Sequence, residues 1–270
     1  MSVSPAVAEP ASTAAHAREM RVIALSGVPL VRRGDDLAEI VVAAVSASNE
    51  TLRSGDVVVI AQKIISKAEG RAVALASVTP SKRALDLAAL VDKDARLVEL
   101  ILSESTEVLR WRKDVIVVVH RLGFVMANAG IDMSNVEQGA SDTTALLLPL
   151  DPDRTCALLR RRLAETVDAE VGVIINDSHG RAWRNGTVGV ALGAAGIPAV
   201  LDLRGETDLF GRPLQITQVG LADELASAAS LLMGQSREGC PVILLRGVPY
   251  QLREGNAMEL IRAKEHDMFR

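Results

Sequence analysis

Short apolar runs alternate with amphipathic stretches along most of the chain, and their spacing predicts a mixture of strands and helices. Arg21 to Val31 is a β-branched run broken by Gly27 and Pro29, the pattern of a strand entering a rigid turn. From Arg33 to Ser48 the apolar spacing is helical, with Asp35 or Asp36 as N-cap. After a turn at Ser54 and Gly55, Asp56 to Ala61 reads as a fully buried strand, and the polar QKIISKAEGR follows it directly. Two helices are predicted between Pro80 and Ser105. A strand, a glycine-bearing turn and a second extended stretch follow between Val115 and Gly130.

The second half continues in the same way. Asp151 to Ala169 is helical, Glu170 to Asp177 is a buried strand, and Thr187 to Leu203 is a strand with a tight glycine-rich turn. Gln215 to Gln235 gives a short strand and a helix, and Pro241 to Gly247 a last strand. Strands and helices mix without a regular βαβ rhythm, so the expected class is α/β or α+β, with mixed sheets and a non-Rossmann architecture.

Composition narrows the options. The chain has 270 residues, enough for one large domain or two intimate lobes. Hydrophobic residues make up 49% and aromatics only 2%, so the core must be built from Val, Ile, Leu and Ala. Thirty basic and 34 acidic residues are interspersed, which leaves no basic stripe for a nucleic-acid backbone. No apolar run approaches the ~20 residues of a membrane-spanning helix. Residues 1–20 have no signal-peptide pattern, and Cys156 and Cys240 have neither CxxC spacing nor a secretory leader before them, so the cytoplasm is the expected location. The expected plan is a disordered arm over 1–20, a main domain over 21–250 and a polar tail or linker start over 251–270.

The familiar phosphate loop GxxxxGK[ST], a strand-linked GxGxxG, HExxH and GxSxG are all absent. Polar clusters instead stand where buried strands are expected to end. ANAGIDMSN offers Asp132 and Asn135 just past an extended run, and NDSHGRAWRNG offers Asp177 and Ser178. Two carboxylates with amide and hydroxyl oxygens nearby are hard donors suited to Mg²⁺ or Mn²⁺ carrying a nucleotide phosphate. The same residue types also close turns and cap helices. Gln62, Lys63, Ser66 and Lys67 either face phosphates or form a solvated helix start. MGQSREG (Met233 to Gly239) either presents backbone N–H groups to an anion or simply links a helix to a strand.

Taken in order, GVPL (Gly27 to Leu30), QKIISKAEGR, ANAGIDMSN, NDSHGRAWRNG, ADELASAA (Ala222 to Ala229) and MGQSREGCPVILLRG (Met233 to Gly247) resemble the coenzyme F-420-0:L-glutamate ligase (gamma-glutamyl ligase) family from about Arg21 to Tyr250. The resemblance implies a GTP-dependent enzyme that joins L-glutamate to a deazaflavin coenzyme precursor through an acyl phosphate. It further implies Mg²⁺ or Mn²⁺, a monovalent cation such as K⁺, and an intertwined homodimer.

Carried over residue by residue, Asp132, Asp177, Ser178 and Gln235 fall on the family's metal positions. Gly27, Val28, Pro29, Leu30, Gln62, Lys63, Lys67, Asn135, Met233, Gly234, Gln235, Ser236, Arg237, Glu238, Gly239 and Cys240 fall on its nucleotide-contacting positions. His179 is a neighbour of the site without an assigned role. A related amide ligase with another acceptor, or a non-catalytic nucleotide- or metal-binding module, is the alternative to be tested.

Overall fold

The computed structural model describes residues 18–138 and 143–268, so most of the arm expected over 1–20 lies outside the described residues. The apolar run at the start forms β1 (Arg21–Ala24), and Asp36 caps α1 (Leu37–Ala47) by accepting from the backbone N–H groups of Ala38 and Glu39. β2 (Val57–Ala61) runs without a break into α2 (Gln62–Ala68). β3 (Ala72–Ala74), α3 (Lys82–Val91), α4 (Ala95–Ser103), β4 (Ser105–Arg112), β5 (Val115–His120), β6 (Val125–Ala127) and β7 (Thr144–Leu146) follow. α5 (Pro152–Val167) starts with proline in its first turn behind the Asp151 cap. β8 (Gly172–Gly180), β9 (Thr187–Ala195), β10 (Leu201–Asp202), β11 (Gln218–Val219), α6 (Leu221–Met233) and β12 (Val242–Arg246) complete the order.

The main sheet has the order β1-β12-β2-β8-β9, in which only β2 and β8 run parallel. Alternation along each strand sorts its residues between two cores. Val58, Ile60, Val242 and Leu244 join the apolar faces of α1 and α5, whereas Val57, Val59, Ile243 and Leu245 join α6. Helix α6 can lie this close because Gly189 in β9 has no side chain. A Cβ there would stand 2.3 Å from the Ala226 carbonyl oxygen. A further, smaller core joins α3, α4 and the β4-β5-β6 sheet through Ala84, Val98, Ile101, Ile116 and Val118.

Near these cores Glu104 is almost fully buried. Its carboxylate lies 2.9 Å from Arg71 Nη2, 3.0 Å from Arg121 Nε and 3.5 Å from His120 Nε2. Burial pushes the Glu104 carboxyl up, but His120, Arg71 and Arg121 outweigh it and hold the group at about 2.

Two expectations change. The polar NDSHG does not lie past the end of a strand. β8 continues through it to Gly180, because β9 pairs with Asp177, Ser178 and His179 at Val190, Gly189 and Val188. β4, which the apolar pattern did not predict, is a largely exposed partner of β5 with two register shifts. Beyond β12, residues that composition alone marks as a polar tail include Ala257, which is buried and donates its N–H to Asp153 Oδ1 at 2.8 Å.

Candidate functional site

Register places the polar segments at one end of the main sheet. Ala61, the last residue of β2, pairs with Asn176 in β8, so Gln62 and Asp177 each follow directly from that pair. The same end receives the start of β12, where Val242 pairs with Ile60, and the end of β1. Beside the smaller core, the backbone N–H of Asp132 donates to Leu146 O at 3.0 Å and its carbonyl accepts from Leu146 N at 2.8 Å, which holds the aspartate in an isolated bridge to β7.

These elements bring together residues 70 apart in sequence. Gln62 is buried, and its Nε2 donates to Asp132 Oδ2 at 2.9 Å while its Oε1 accepts from the fully buried Ser66 hydroxyl at 3.0 Å. Lys63 Nζ lies 3.3 Å from Asp132 Oδ1 and donates to Ser134 Oγ at 2.9 Å. Gln62 and Ser66 therefore fix a carboxylate from the protein interior, so the start of α2 is not wholly a solvated face.

Asp177 lies in the same field. Burial and then the Asp132 carboxylate push it up to about 7, against the opposing pull of the Ser178 N–H, Lys63 and Gln62. Burial also raises Asp132 above the ordinary aspartate value despite Lys63 and Gln62. Lys67 is lowered by burial and by Lys63, with Glu137 acting the other way.

A second group of candidates sits alongside. Ser178 Oγ donates to Gln235 Oε1 at 2.6 Å, and Asn135, at a positive φ of 54°, donates from Nδ2 to Ser236 O at 3.0 Å. That second bond ties the Asp132 loop to the segment from Met233 to Cys240. Met233 is buried at the end of α6, and its sulfur accepts from Asn176 Nδ2 at 3.2 Å. Gly234 follows at a positive φ of 70°, and Glu238 folds back to accept from Ser236 N at 2.8 Å. Arg237, Gly239 and Cys240 complete the segment before Pro241.

The Gly27 to Leu30 turn emerges at the same sheet end. Its described contacts are with the end of α1: Ser26 N donates to Ser48 Oγ at 2.9 Å, and Gly27, at φ 77°, packs over Ala47. Val28 packs against the α1 and α5 core, whereas Leu30 is exposed. None of these contacts reaches Asp132 or Asp177 among the described residues.

Among the described residues no three His, Cys, Asp or Glu side chains form a metal cluster. The donor set is instead two carboxylates, an amide oxygen and a hydroxyl, all hard oxygens. Asp177, raised by burial and by the Asp132 carboxylate beside it, is relieved when a cation neutralises the pair, and this supports a divalent-ion fit.

Three residues at the site escaped the sequence reasoning. Ser134 steadies Lys63, Glu137 acts on Lys67, and Asn176 is buried with its Oδ1 unpartnered. A polar residue at the last β2–β8 pair was the available signal for Asn176. His179 faces the other way along the strand from Ser178. Its Nε2 lies 3.0 Å from Val125 O, beside a cavity of about 210 Å³ that Asp223, Leu260 and Ile261 also line.

Comparison with known proteins agrees with this arrangement of motifs. The sequence model of the F420-0:gamma-glutamyl ligase family matches residues 27–247. The chain is 48% identical over 251 residues to the coenzyme F420:L-glutamate ligase of Methanothermobacter thermautotrophicus, covering 92% of this chain and 98% of that protein. It is 47% identical to the protein of the same name from Methanopyrus kandleri, covering 90% and 96%. To that from Archaeoglobus fulgidus it is 43% identical, covering 93% and 96%. With the motifs at one sheet end and the match running from residue 27 to 247, this chain belongs to the F420-0:gamma-glutamyl ligase family.

Proposed function

We propose that the protein is a GTP-dependent ligase that adds L-glutamate to coenzyme F420-0, the deazaflavin precursor. The observation that carries the reading is the juxtaposition of Asp132 and Asp177 with Lys63 between a buried glutamine and the Asn135–Ser236 tie. The relatives' names supply the acceptor and the amine.

Carboxylate and amine do not condense in water unless a carboxylate oxygen becomes a leaving group. In the proposed sequence an acceptor carboxylate oxygen attacks the γ-phosphorus of GTP, and GDP leaves. The glutamate nitrogen then attacks the acyl carbon. The acyl C–O bond breaks, phosphate leaves, and the nitrogen gives up its proton to form the amide. Asp132, Asp177, Ser178 and Gln235 are the residues to hold Mg²⁺ or Mn²⁺, which when bound supplies charge neutralisation to the triphosphate. Lys63 and Lys67 bring fixed positive charge to the same place, and Gln62 keeps Asp132 aimed.

The segment from Met233 to Cys240, Asn135 and the Gly27 to Leu30 turn form the nucleotide-contacting set in this reading, and K⁺ is its monovalent companion. A homodimer belongs to it too, supported by exposed Leu209, Phe210 and Ile216 between β10 and β11, apolar surface of the kind a second copy covers. A cytoplasmic setting is part of the same reading; none of the described helices is long and apolar enough to cross a membrane.

Incubating the protein with GTP, Mn²⁺, L-glutamate and glutamate-free coenzyme tests the proposal. Mass detection should show the gain of one glutamyl residue per addition and equimolar GDP. GTP turnover without a mass gain would reject the acceptor, and no turnover at all would reject the ligase reading.

A further inference from the structure

The turn that joins β8 to β9 has no part in the chemistry described so far. It spans residues 181–186, RAWRNG, and begins one residue after the strand that carries Asp177, Ser178 and His179. Trp183 is 88% exposed there, in a protein where only 2% of residues are aromatic. Its φ of 65° is left-handed, a conformation that bulky side chains rarely adopt. Arg181 and Arg184 flank it, both exposed, and no acidic residue lies within the turn. Arg181 Nη1 donates across the turn to Gly186 O at 3.2 Å, which leaves other guanidinium N–H groups for a ligand.

From this we infer that the β8–β9 turn is the seat of the acceptor's ring system: Trp183 stacks on a planar heteroaromatic ring while Arg181 and Arg184 hold the anionic tail. The inference rests on the ligase reading and names the part of the molecule that selects its acceptor. In that reading the reacting carboxylate lies beside Asp132 and Asp177, and three residues of strand, about 10 Å, separate Asp177 from Gly180, where the turn begins. A ring joined to its carboxylate by a tail of about that length places the ring at the turn when the carboxylate is at the reacting end. An exposed indole between two arginines offers a π-face and positive charge together, the complement of a planar ring with an anionic chain. It offers nothing comparable to glutamate, which has no ring.

The protein has two tryptophans, Trp111 and Trp183, and Trp111 lies on β4 in the smaller sheet. Trp111→Phe therefore leaves Trp183 as the only indole reporter. Glutamate-free coenzyme, added without nucleotide, should quench its fluorescence saturably, and Arg181→Ala in that background should weaken the titration about tenfold. In the ligase assay, Trp183→Ala should raise KM for the acceptor about tenfold or more, with KM for GTP and for glutamate within twofold, and Trp183→Phe should recover most of the loss.

Absence of quenching overturns the inference, as does an unchanged acceptor KM in Trp183→Ala. A drop in particle mass on Trp183→Ala, seen by sedimentation, would assign the turn to contact between copies instead and also overturn it. Quenching without glutamyl addition by the wild-type protein would reject the ligase reading while leaving the ring seat in place.

Discussion

Two carboxylates, one buried and one half-buried, meet opposite fates in this molecule. Glu104, packed where the smaller sheet meets Arg71, is surrounded by two arginines and a histidine and is held at about 2. Asp177, at the end of the main sheet, faces another carboxylate and is pushed up to about 7. The first has its counter-charges built in, so its burial serves the fold. The second lacks enough positive charge from the protein alone, so its position works against the fold, and in the proposed reading a cation supplies what is missing. Satisfaction of charge separates the structural acid from the one that the proposed reading gives to a metal.

The sharpest way to break this contrast is to neutralise each carboxylate with minimal change of shape. Asp177→Asn should lower glutamyl transfer by about 10³-fold, the scale on which loss of a preorganised charge acts. It should also leave the metal-free urea midpoint unchanged or higher. Glu104→Gln should do the reverse, losing about 3 kcal/mol of stability because Arg71, Arg121 and His120 are left without their anion, with little change in turnover per folded molecule. If both variants lost stability equally, the contrast would be mistaken.

The pH dependence sharpens the comparison. Unfolded Glu104 takes up a proton near 4.5, whereas the folded group resists until about 2. Its contribution of about 3 kcal/mol is therefore complete above 4.5 and lost as pH falls through that window. Folded Asp177 keeps its proton up to about 7 while the unfolded group releases it near 3.8. On its account the metal-free protein loses stability as pH rises across that range. Urea midpoints for wild type and Asp177→Asn should diverge toward neutral pH, and Mn²⁺ should close the gap. Parallel curves would contradict the assignment.

The smallest expected effect comes from a third carboxylate at the surface. Asp36 caps α1 and pairs with Arg162, so Asp36→Ala should cost about 1 kcal/mol in urea unfolding and be indifferent to Mn²⁺.

What sequence could and could not foretell follows from the range of the forces involved. Local signals revealed α1, whose cap Asp36 acts within three residues of itself, and α5, whose apolar spacing is helical, and the apolar runs in β2 and β12 were equally plain. β4 was missed because STEVLRWR lacks clean alternation, and its pairing is supplied by β5. The continuation of β8 past Asp177 was hidden for the same reason, since β9 and not local propensity keeps NDSHG extended.

At the site, residue types suggested oxygen donors, yet only tertiary structure sets Gln62 against Asp132 or Ser178 against Gln235. The family resemblance carried the identity because it compares many segments in order, whereas each segment alone is compatible with an ordinary turn.

The parallel pairing of β2 with β8 has one more consequence. Gln62 and Asp177 lie side by side because each is the next residue after the Ala61–Asn176 pair, so their meeting is fixed by counting along two strands. A conservative exchange of one apolar residue for another within 57–61 or 172–176 leaves that count intact. Insertion or deletion of a single residue in either strand would slide one partner by about 3.3 Å and turn its side chain to the opposite face. Descendants of this gene can therefore drift in the composition of these strands, while changes in their length are closed to them.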